Sequence, residues 1–319
     1  MKIVITCKLP HEVIEPLQAK YDVVMWEKEG EPMERARLLH EIEEAHGLFT
    51  NVADQIDAEL LEKATNLKVI STMAVGFDNI DVETAKQKGI VIGHTPGVLT
   101  EATADLTFAL LMATGRRIVE GMDVLRQDEW KSWAPFFLTG QEIYGKTIGI
   151  IGMGRIGLGV ARRAKGFSMN ILYHNRSHNK EAEETLGATY CKLDDLLTQA
   201  DYVVLLAPST KDTYKMMGKE QFAKMKNSAI FINTSRGTNV DEEALYHALE
   251  AGDIYAAGLD VFDPEPISSS HPLLRLRNVT ALPHIGSAAI ETRLEMARLA
   301  CENLVNGLED KPLVHEVKA

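Results

Sequence analysis

The sequence predicts an α/β fold built as two doubly wound parallel-sheet units, the first of them discontinuous. Three observations carry this reading. Short β-rich runs alternate with helical patterns along nearly the whole chain, which is the pattern of a parallel sheet with helices on both faces. The length of 319 residues suits two domains at about 150 residues each. A strand over 147–151 runs directly into Gly152-Met153-Gly154-Arg155-Ile156-Gly157 and a helix follows; in that context a glycine-rich turn becomes a dinucleotide loop, and the units become Rossmann-like.

The first series has strands over 3–6, 23–25, 48–50, 69–71 and 90–92, with helices over 33–45, 58–64 and 82–88 between them. Residues 100–117 are apolar at helical spacing. Trp130, Trp133, Phe136 and Phe137 then fall within eight residues of a chain that is only 6% aromatic. They form either a loop packed on its own domain or an arm buried in a subunit interface, where large aromatics act as anchors. The second series has strands over 147–151, 171–173, 188–190, 202–205, 229–233, 256–259 and 279–282, with helices such as 156–165 and 242–250. A last helix over 287–308 is placed to return to the first unit. The expected organisation is therefore residues 1–100 plus 287–319 as one domain, and 101–286 as a dinucleotide-binding domain with an arm at about 118–145.

Composition narrows the function. The net charge is −12, from 46 acidic and 34 basic residues, which argues against a general nucleic-acid or anionic-membrane binder. Cys7, Cys191 and Cys301 are odd in number and far apart, so they make neither a disulfide framework nor a zinc site. They read as small hydrophobes of a reducing compartment. The apolar start at 3–6 reads as a first strand rather than a signal peptide, and the stretch 106–113 falls far short of the ~20 residues of a membrane span. A cytoplasmic protein is expected. His40, Glu41 and His46 do not make HExxH and are expected on a solvated helix face among the acids of 27–44; no metal is implied.

In the dinucleotide loop, Gly152 permits the tight turn, Gly154 lets the backbone approach a pyrophosphate, and Gly157 lets helix and strand pack closely. The helix N-terminus offers N–H groups and a positive dipole end to the phosphates. An NAD site usually carries Asp or Glu about 20 residues on, against the ribose 2′-OH. Here the next strand ends in Asn175-Arg176-Ser177, with no carboxylate before Glu181. An amide, a guanidinium and a hydroxyl all donate to a 2′-phosphate. The expected cofactor is NADP(H), with NAD(H) as the other possibility.

In an open α/β sheet, ligands sit outside the carboxyl ends of the strands. Three late strands end there in polar residues: Thr234-Ser235-Arg236, Asp260 through Glu265, and His284 through Gly286. Pro264, Pro266 and Pro283 restrict the backbone around Glu265 and His284. Hydride addition to a ketone leaves an alkoxide that must gain a proton, and histidine is the natural donor near neutral pH. A carboxylate beside an imidazole stabilises the imidazolium. An arginine holds a substrate carboxylate by paired hydrogen bonds and polarises the adjacent carbonyl. Arg236, Glu265 and His284 together describe reduction of a 2-keto acid to a 2-hydroxy acid.

Over essentially its whole length the chain resembles the D-isomer-specific 2-hydroxyacid dehydrogenases. The motifs that carry the resemblance are Gly76-Phe77-Asp78-Asn79-Ile80-Asp81, Thr95-Pro96-Gly97, the glycine loop, Asn233-Thr234-Ser235-Arg236-Gly237, the run from Gly258 to Pro266, and Pro283-His284-Ile285-Gly286-Ser287. The stretch from Thr95 to Asp105 and the Asn175-Arg176-Ser177 turn point within the family to the glyoxylate/hydroxypyruvate reductases. The resemblance implies Arg236 on the substrate, His284 as proton donor and Glu265 paired with it. It implies the Val75 and Gly76 backbone around the substrate carboxylate, and Asp260 with the Thr234 carbonyl on the nicotinamide amide. Arg155 and Ile156 lie along the pyrophosphate; Thr103, Pro208, Ser235, His284 and Gly286 complete the implied cofactor set. It also implies a homodimer in which Trp130 or Trp133 reaches the neighbour's site.

The rivals are an NAD-linked 2-hydroxyacid dehydrogenase of another substrate and, outside the enzymes, a dinucleotide-sensing corepressor of the same fold. A phosphoglycerate dehydrogenase with an added regulatory domain fits less well, because the chain ends near the catalytic helix. A formate dehydrogenase fits less well too, since formate oxidation needs no alcohol proton relay.

Overall fold

In the computed structural model, which describes residues 1–318, the chain divides into two compact units, residues 1–99 with 288 onward, and residues 100–287. In chain order the elements begin with β1 (Lys2–Ile5), α1 (His11–Gln18), β2 (Asp22–Met25), α2 (Arg35–Glu41), β3 (Gly47–Thr50), α3 (Ala58–Lys63), β4 (Val69–Thr72), α4 (Val82–Gln87) and β5 (Val91–Gly93). They continue with α5 (Thr100–Gly115), α6 (Ile118–Arg126), β6 (Thr147–Ile151), α7 (Arg155–Gly166), β7 (Asn170–His174), α8 (Lys180–Leu186), β8 (Thr189–Tyr190), α9 (Leu193–Gln199) and β9 (Tyr202–Leu205). The last are α10 (Lys219–Lys224), β10 (Ile230–Asn233), α11 (Glu242–Ala251), β11 (Ala256–Leu259), β12 (Val279–Ala281) and α12 (Ile290–Leu308).

The first unit is a five-stranded parallel sheet in the order β2-β1-β3-β4-β5. β3 and β4 are buried at every position, as parallel strands covered on both faces must be. Asp57 and Asp81 start α3 and α4 by accepting the Leu60 and Thr84 N–H groups. α2 is shorter than the apolar pattern of 33–45 implies. It gives way to a single 3-10 turn at Ile42–Glu44, and Ala45 becomes extended, because the His46 N–H must reach the Lys2 carbonyl at 2.8 Å to enter the sheet. His46 therefore lies in the connection to β3 rather than on a helix face, and its Nδ1 accepts the Lys2 N–H at 3.2 Å. α1 has no clear helical signal, since Pro16 sits inside it; burial of Val13, Ile14 and Leu17 holds it together. Each such side chain is worth about 1.5–3 kcal/mol when removed from water, enough to offset the hydrogen bond that a proline removes.

α12 returns to this sheet. The Ser71 hydroxyl donates to the Ala300 carbonyl at 2.7 Å. Asn303, fully buried, donates to the His94 carbonyl at 3.1 Å and accepts the His315 N–H at 3.1 Å. The helix begins at Ile290, three residues later than the pattern suggests, because Ala289 is still extended.

The second unit is a seven-stranded parallel sheet in the order β12-β11-β10-β9-β6-β7-β8. The order reverses direction between β6 and β9, which makes that crevice the topological switch point. α5 buries Phe108, Leu110 and Leu111 in its core. On its outer side Glu101 and Asp105 pair with Arg163 of α7 at 3.0 and 2.5 Å. Beyond α5, Trp133 and Phe136 are 77% and 86% exposed in this chain, whereas Trp130 and Phe137 are about half-covered and line a hollow with Val124 and Leu125 of α6. Among the described residues no helix is long and apolar enough to cross a membrane.

Candidate functional site

The carboxyl end of β6 turns at Gly152, whose φ is +103°. A Cβ there would come within 2.7 Å of the Ala207 nitrogen and the Leu206 carbonyl carbon beyond β9, so only glycine fits. A Cβ on Gly157 would lie 2.5 Å from the Gly152 carbonyl oxygen; α7 leaves the turn that closely. Gly154 is the extended residue before α7, no side chain caps the helix, and a Cβ on Gly154 would meet nothing within 4 Å. The first turn, Arg155 and Ile156, thus has its N–H groups open to an anion.

The turn after β7 is tied to this loop. The Asn179 amide donates to the Met153 carbonyl at 2.9 Å, and the Asn179 N–H donates to the Tyr173 hydroxyl at 2.7 Å. That hydroxyl donates to Glu183 at 2.7 Å, and His178 Nδ1 lies 2.7 Å from the same oxygen. The Tyr173 hydroxyl first, and His178 second, hold the Glu183 carboxyl below its ordinary value. Asn175 is half-buried, and Arg176 and Ser177 are exposed, so a scaffold of Tyr173, Asn179 and Glu183 presents three donors beside the glycine loop.

Three strand ends share the next stretch of the same edge. At the end of β11, Asp260 is 1% exposed. Burial pushes its carboxyl up, against the Ile285 and Gly286 N–H groups, the former at 2.8 Å. Its carbonyl accepts the His284 N–H at 2.9 Å. His284, beyond β12, adopts φ +53°, a conformation uncommon for a residue with a Cβ and a frequent mark of functional sites. Its ring Nδ1 lies 2.7 Å from Glu265 Oε2, and the Glu265 Oε1 accepts the Phe262 N–H at 2.8 Å. With the carboxylate as partner, Nδ1 carries a proton and donates, which leaves Nε2 for chemistry. The pair is about one-third exposed, 30% and 33%, wet enough to exchange protons and held enough to keep its geometry.

Arg236 stands at the end of β10 in an extended conformation. Asn233 fixes that end: its amide donates to the Arg236 carbonyl at 2.9 Å, and its Oδ1 accepts the Ser235 N–H and hydroxyl at 3.0 and 2.8 Å. A Cβ on the next residue, Gly237, would lie 2.0 Å from the Phe262 carbonyl carbon. The Arg236 turn therefore rests directly on the backbone segment that holds Glu265. Thr103, Thr234 and Gly286 converge beside Asp260. The Thr107 hydroxyl, which donates to the Thr103 carbonyl, lies 2.7 Å from the Thr234 hydroxyl. A Cβ on Gly286 would come 3.2 Å from Asp260 Oδ2 and 3.4 Å from Thr103 Cγ2. Beyond β9, the Pro208 carbonyl accepts the Thr213 hydroxyl at 2.7 Å, and Asn239 donates to the Ala207 carbonyl at 2.9 Å. The Asn239 Oδ1 is buried without a hydrogen-bond partner.

Val75 and Gly76 lie in the first unit, after β4. His94 Nδ1 meets the Val75 carbonyl at 3.0 Å. Among the described residues neither the Val75 nor the Gly76 N–H is donated within the chain, leaving two adjacent donors for an anion. Sequence reasoning missed Asn179, Thr107 and Asn239, which hold these turns, and met Asn233 only inside a motif. Asn179 and Asn233 stand at a helix start and a strand end, Asn239 lies just ahead of α11, and Thr107 sits in the middle of α5; only side-chain direction distinguishes each from a solvated neighbour.

Residues 108–286 match the family described as D-isomer specific 2-hydroxyacid dehydrogenase, NAD binding domain. The chain is 45% identical over 305 residues to a glyoxylate reductase of Korarchaeum cryptofilum, covering 95% of this chain and 92% of that one. A protein of Thermus thermophilus of known crystal structure is 44% identical and superposes with a TM-score of 0.92 over 100% of both chains. An NADPH-dependent glyoxylate/hydroxypyruvate reductase of Sinorhizobium meliloti, solved with NADP and malonate, is 32% identical with a TM-score of 0.88, over 99% of this chain and 96% of that one. The fold, the glycine loop at the switch point and these likenesses agree: the chain belongs to the D-isomer-specific 2-hydroxyacid dehydrogenases and is an NAD(P)-dependent oxidoreductase.

Proposed function

We propose that this protein reduces small 2-keto acids, glyoxylate and hydroxypyruvate, to 2-hydroxy acids with NADPH, and that His284 supplies the proton. The observation that carries this reading is the His284–Glu265 contact at 2.7 Å, with the second carboxylate oxygen already engaged by the Phe262 N–H. Glu265 cannot turn away without losing that bond, so it holds the imidazole by Nδ1 and aims Nε2 outward. When the substrate carbonyl is reduced, the new alkoxide takes the Nε2 proton of the imidazolium, and the positive charge beside Glu265 is discharged. Arg236 is the cation for the substrate carboxylate.

The residues fit a nicotinamide dinucleotide. The uncapped start of α7 and the open face of Gly154 suit a pyrophosphate, and buried Asp260, with Thr103 and Gly286 around it, suits an amide that both donates and accepts. When bound, that group supplies the hydride. Asn175, Arg176 and Ser177 support the phosphorylated form, since they offer donors where a carboxylate would repel a 2′-phosphate. The S. meliloti relative, described as NADPH-dependent and solved with NADP, supports the same reading.

The test is a panel of 2-keto acids assayed with NADPH and with NADH. Turnover of glyoxylate and hydroxypyruvate with a clear advantage for NADPH is expected. An NADH efficiency equal to or above that for NADPH defeats the cofactor reading, and no turnover with any small 2-keto acid defeats the whole. We further propose a homodimer in the cytoplasm. Ile118, Leu125, Trp133 and Phe136 are 56%, 58%, 77% and 86% exposed, an apolar run along α6 and the arm that a second copy would cover. The three cysteines are free, which suits a reducing compartment. Sedimentation at the mass of one chain would overturn the dimer.

A further inference from the structure

Glu242 opens helix α11 and lies behind the turn that carries Glu265. Its Oε1 accepts the Asp263 N–H at 2.9 Å, and its Oε2 lies 3.3 Å from His271 Nε2. His271 Nδ1 accepts the Leu273 N–H at 3.4 Å. That nitrogen is therefore unprotonated, and the ring proton sits on Nε2, on the side that faces the Glu242 carboxylate. The two side chains are only 14% and 27% exposed.

The base of this contact is rigid. Asp241 caps α11 by accepting the Ala244 N–H at 3.2 Å, and Leu245, Ala248 and Leu249 bury its inner face. On the other side of the turn, Gly237 leaves no room between itself and Phe262. The segment that positions Glu265 is thus gripped between the Arg236 turn and the Glu242 carboxylate. Burial pushes the Glu242 carboxyl up, and the nearby Asp263 and Glu265 carboxyls push the same way, against the Asp263 N–H. A third acid beside two others is electrostatically costly, and a surface role does not account for it.

We propose that Glu242 is a positioning residue for the proton-donor pair: held by α11 and braced by His271, it fixes the Asp263 N–H and with it the turn that aims Glu265 at His284. This rests on the role proposed for His284 and names what keeps that role in register. Glu242 touches neither substrate nor cofactor.

The experiment is a double-mutant cycle on the full-length protein with Glu242→Ala and Glu265→Gln, read by kcat, together with the downfield ring N–H proton of His284, identified by its absence in His284→Gln. Glu242→Ala is expected to lower kcat about tenfold, and less than about twofold further once Glu265 is already Gln, because coupled residues are not additive. Glu242→Gln is expected to fall between: its amide oxygen still accepts the Asp263 N–H, but its NH2 opposes the His271 Nε2–H. The His284 ring proton is expected to broaden or shift in Glu242→Ala and to recover in part in Glu242→Gln. Equal losses from Glu242→Ala in both backgrounds, or an unmoved ring proton, overturn the proposal. If Glu242→Ala does not fold, Glu242→Gln carries both readouts. The ring-proton arm needs no substrate, so it still decides the role of Glu242 if the 2-keto acid reading fails.

Discussion

Glu265→Gln tests the centre of the site with almost no change of shape. The carboxylate has two engaged oxygens, one on the Phe262 N–H at 2.8 Å and one on His284 at 2.7 Å. An amide has one acceptor for those two donors. If its oxygen stays on Phe262, its NH2 opposes the His284 Nδ1–H, and the ring must move its proton to Nε2 or turn. If it flips, the Phe262 N–H is left facing a donor. A hydrogen bond to a charged partner is worth about 1.5–3 kcal/mol. The pair is about one-third exposed, so solvent screening brings the difference down to about 1–2 kcal/mol. At 1.36 kcal/mol per tenfold, kcat should fall roughly five- to thirtyfold. Saturation curves with glyoxylate and NADPH measure it: kcat falls, and the KM for NADPH stays within about twofold because Glu265 does not hold the dinucleotide. A kcat within twofold of the parent refutes the reasoning, as does a loss carried wholly by the cofactor KM.

Two other perturbations probe different parts. Arg176→Ala should raise the KM for NADPH by about tenfold and leave NADH nearly unaffected, the scale of one exposed charge-assisted contact; equal effects on both cofactors would assign Arg176 to the surface. Asp201→Asn probes stability. Burial alone would raise the Asp201 carboxyl, but Lys226 at 2.8 Å and the Thr147 N–H at 2.9 Å outweigh it and hold it below its ordinary value. A carboxyl lower in the folded state than in the unfolded one stabilises above its unfolded value, about pH 3.9, and loses that contribution as pH falls through the folded value. With the two side chains 25% and 38% exposed, the variant should lose about 1 kcal/mol at pH 7. That gap should close in urea melts below pH 4; a gap that widens there is the contrary result.

The sequence by itself determined what depends on local chemistry and order. Alternation of apolar runs gave the parallel sheets. Gly152, Gly154 and Gly157 marked the dinucleotide loop because strand, glycine spacing and helix are contiguous, and each glycine's reason is steric and short-range. Arg236, Glu265 and His284 were legible because strand ends in an open sheet face one edge, so position along the chain already implies a shared location. Only the tertiary structure decided how these groups are held. That the Glu265 Oε1 is taken by Phe262, that Asn179 ties the Arg176 turn to Met153, and that Glu242 reaches Asp263 depend on the directions of side chains from segments some 20 or more residues apart, or on a turn that folds back on itself. α2 stopped early and α1 formed around a proline for the same reason: sheet pairing at Lys2–His46 and burial of Val13, Ile14 and Leu17 outweigh local propensity. Local patterns set which groups are available; packing sets which way they point, and hydrogen bonding falls off too steeply with angle and distance for the order of residues alone to fix it.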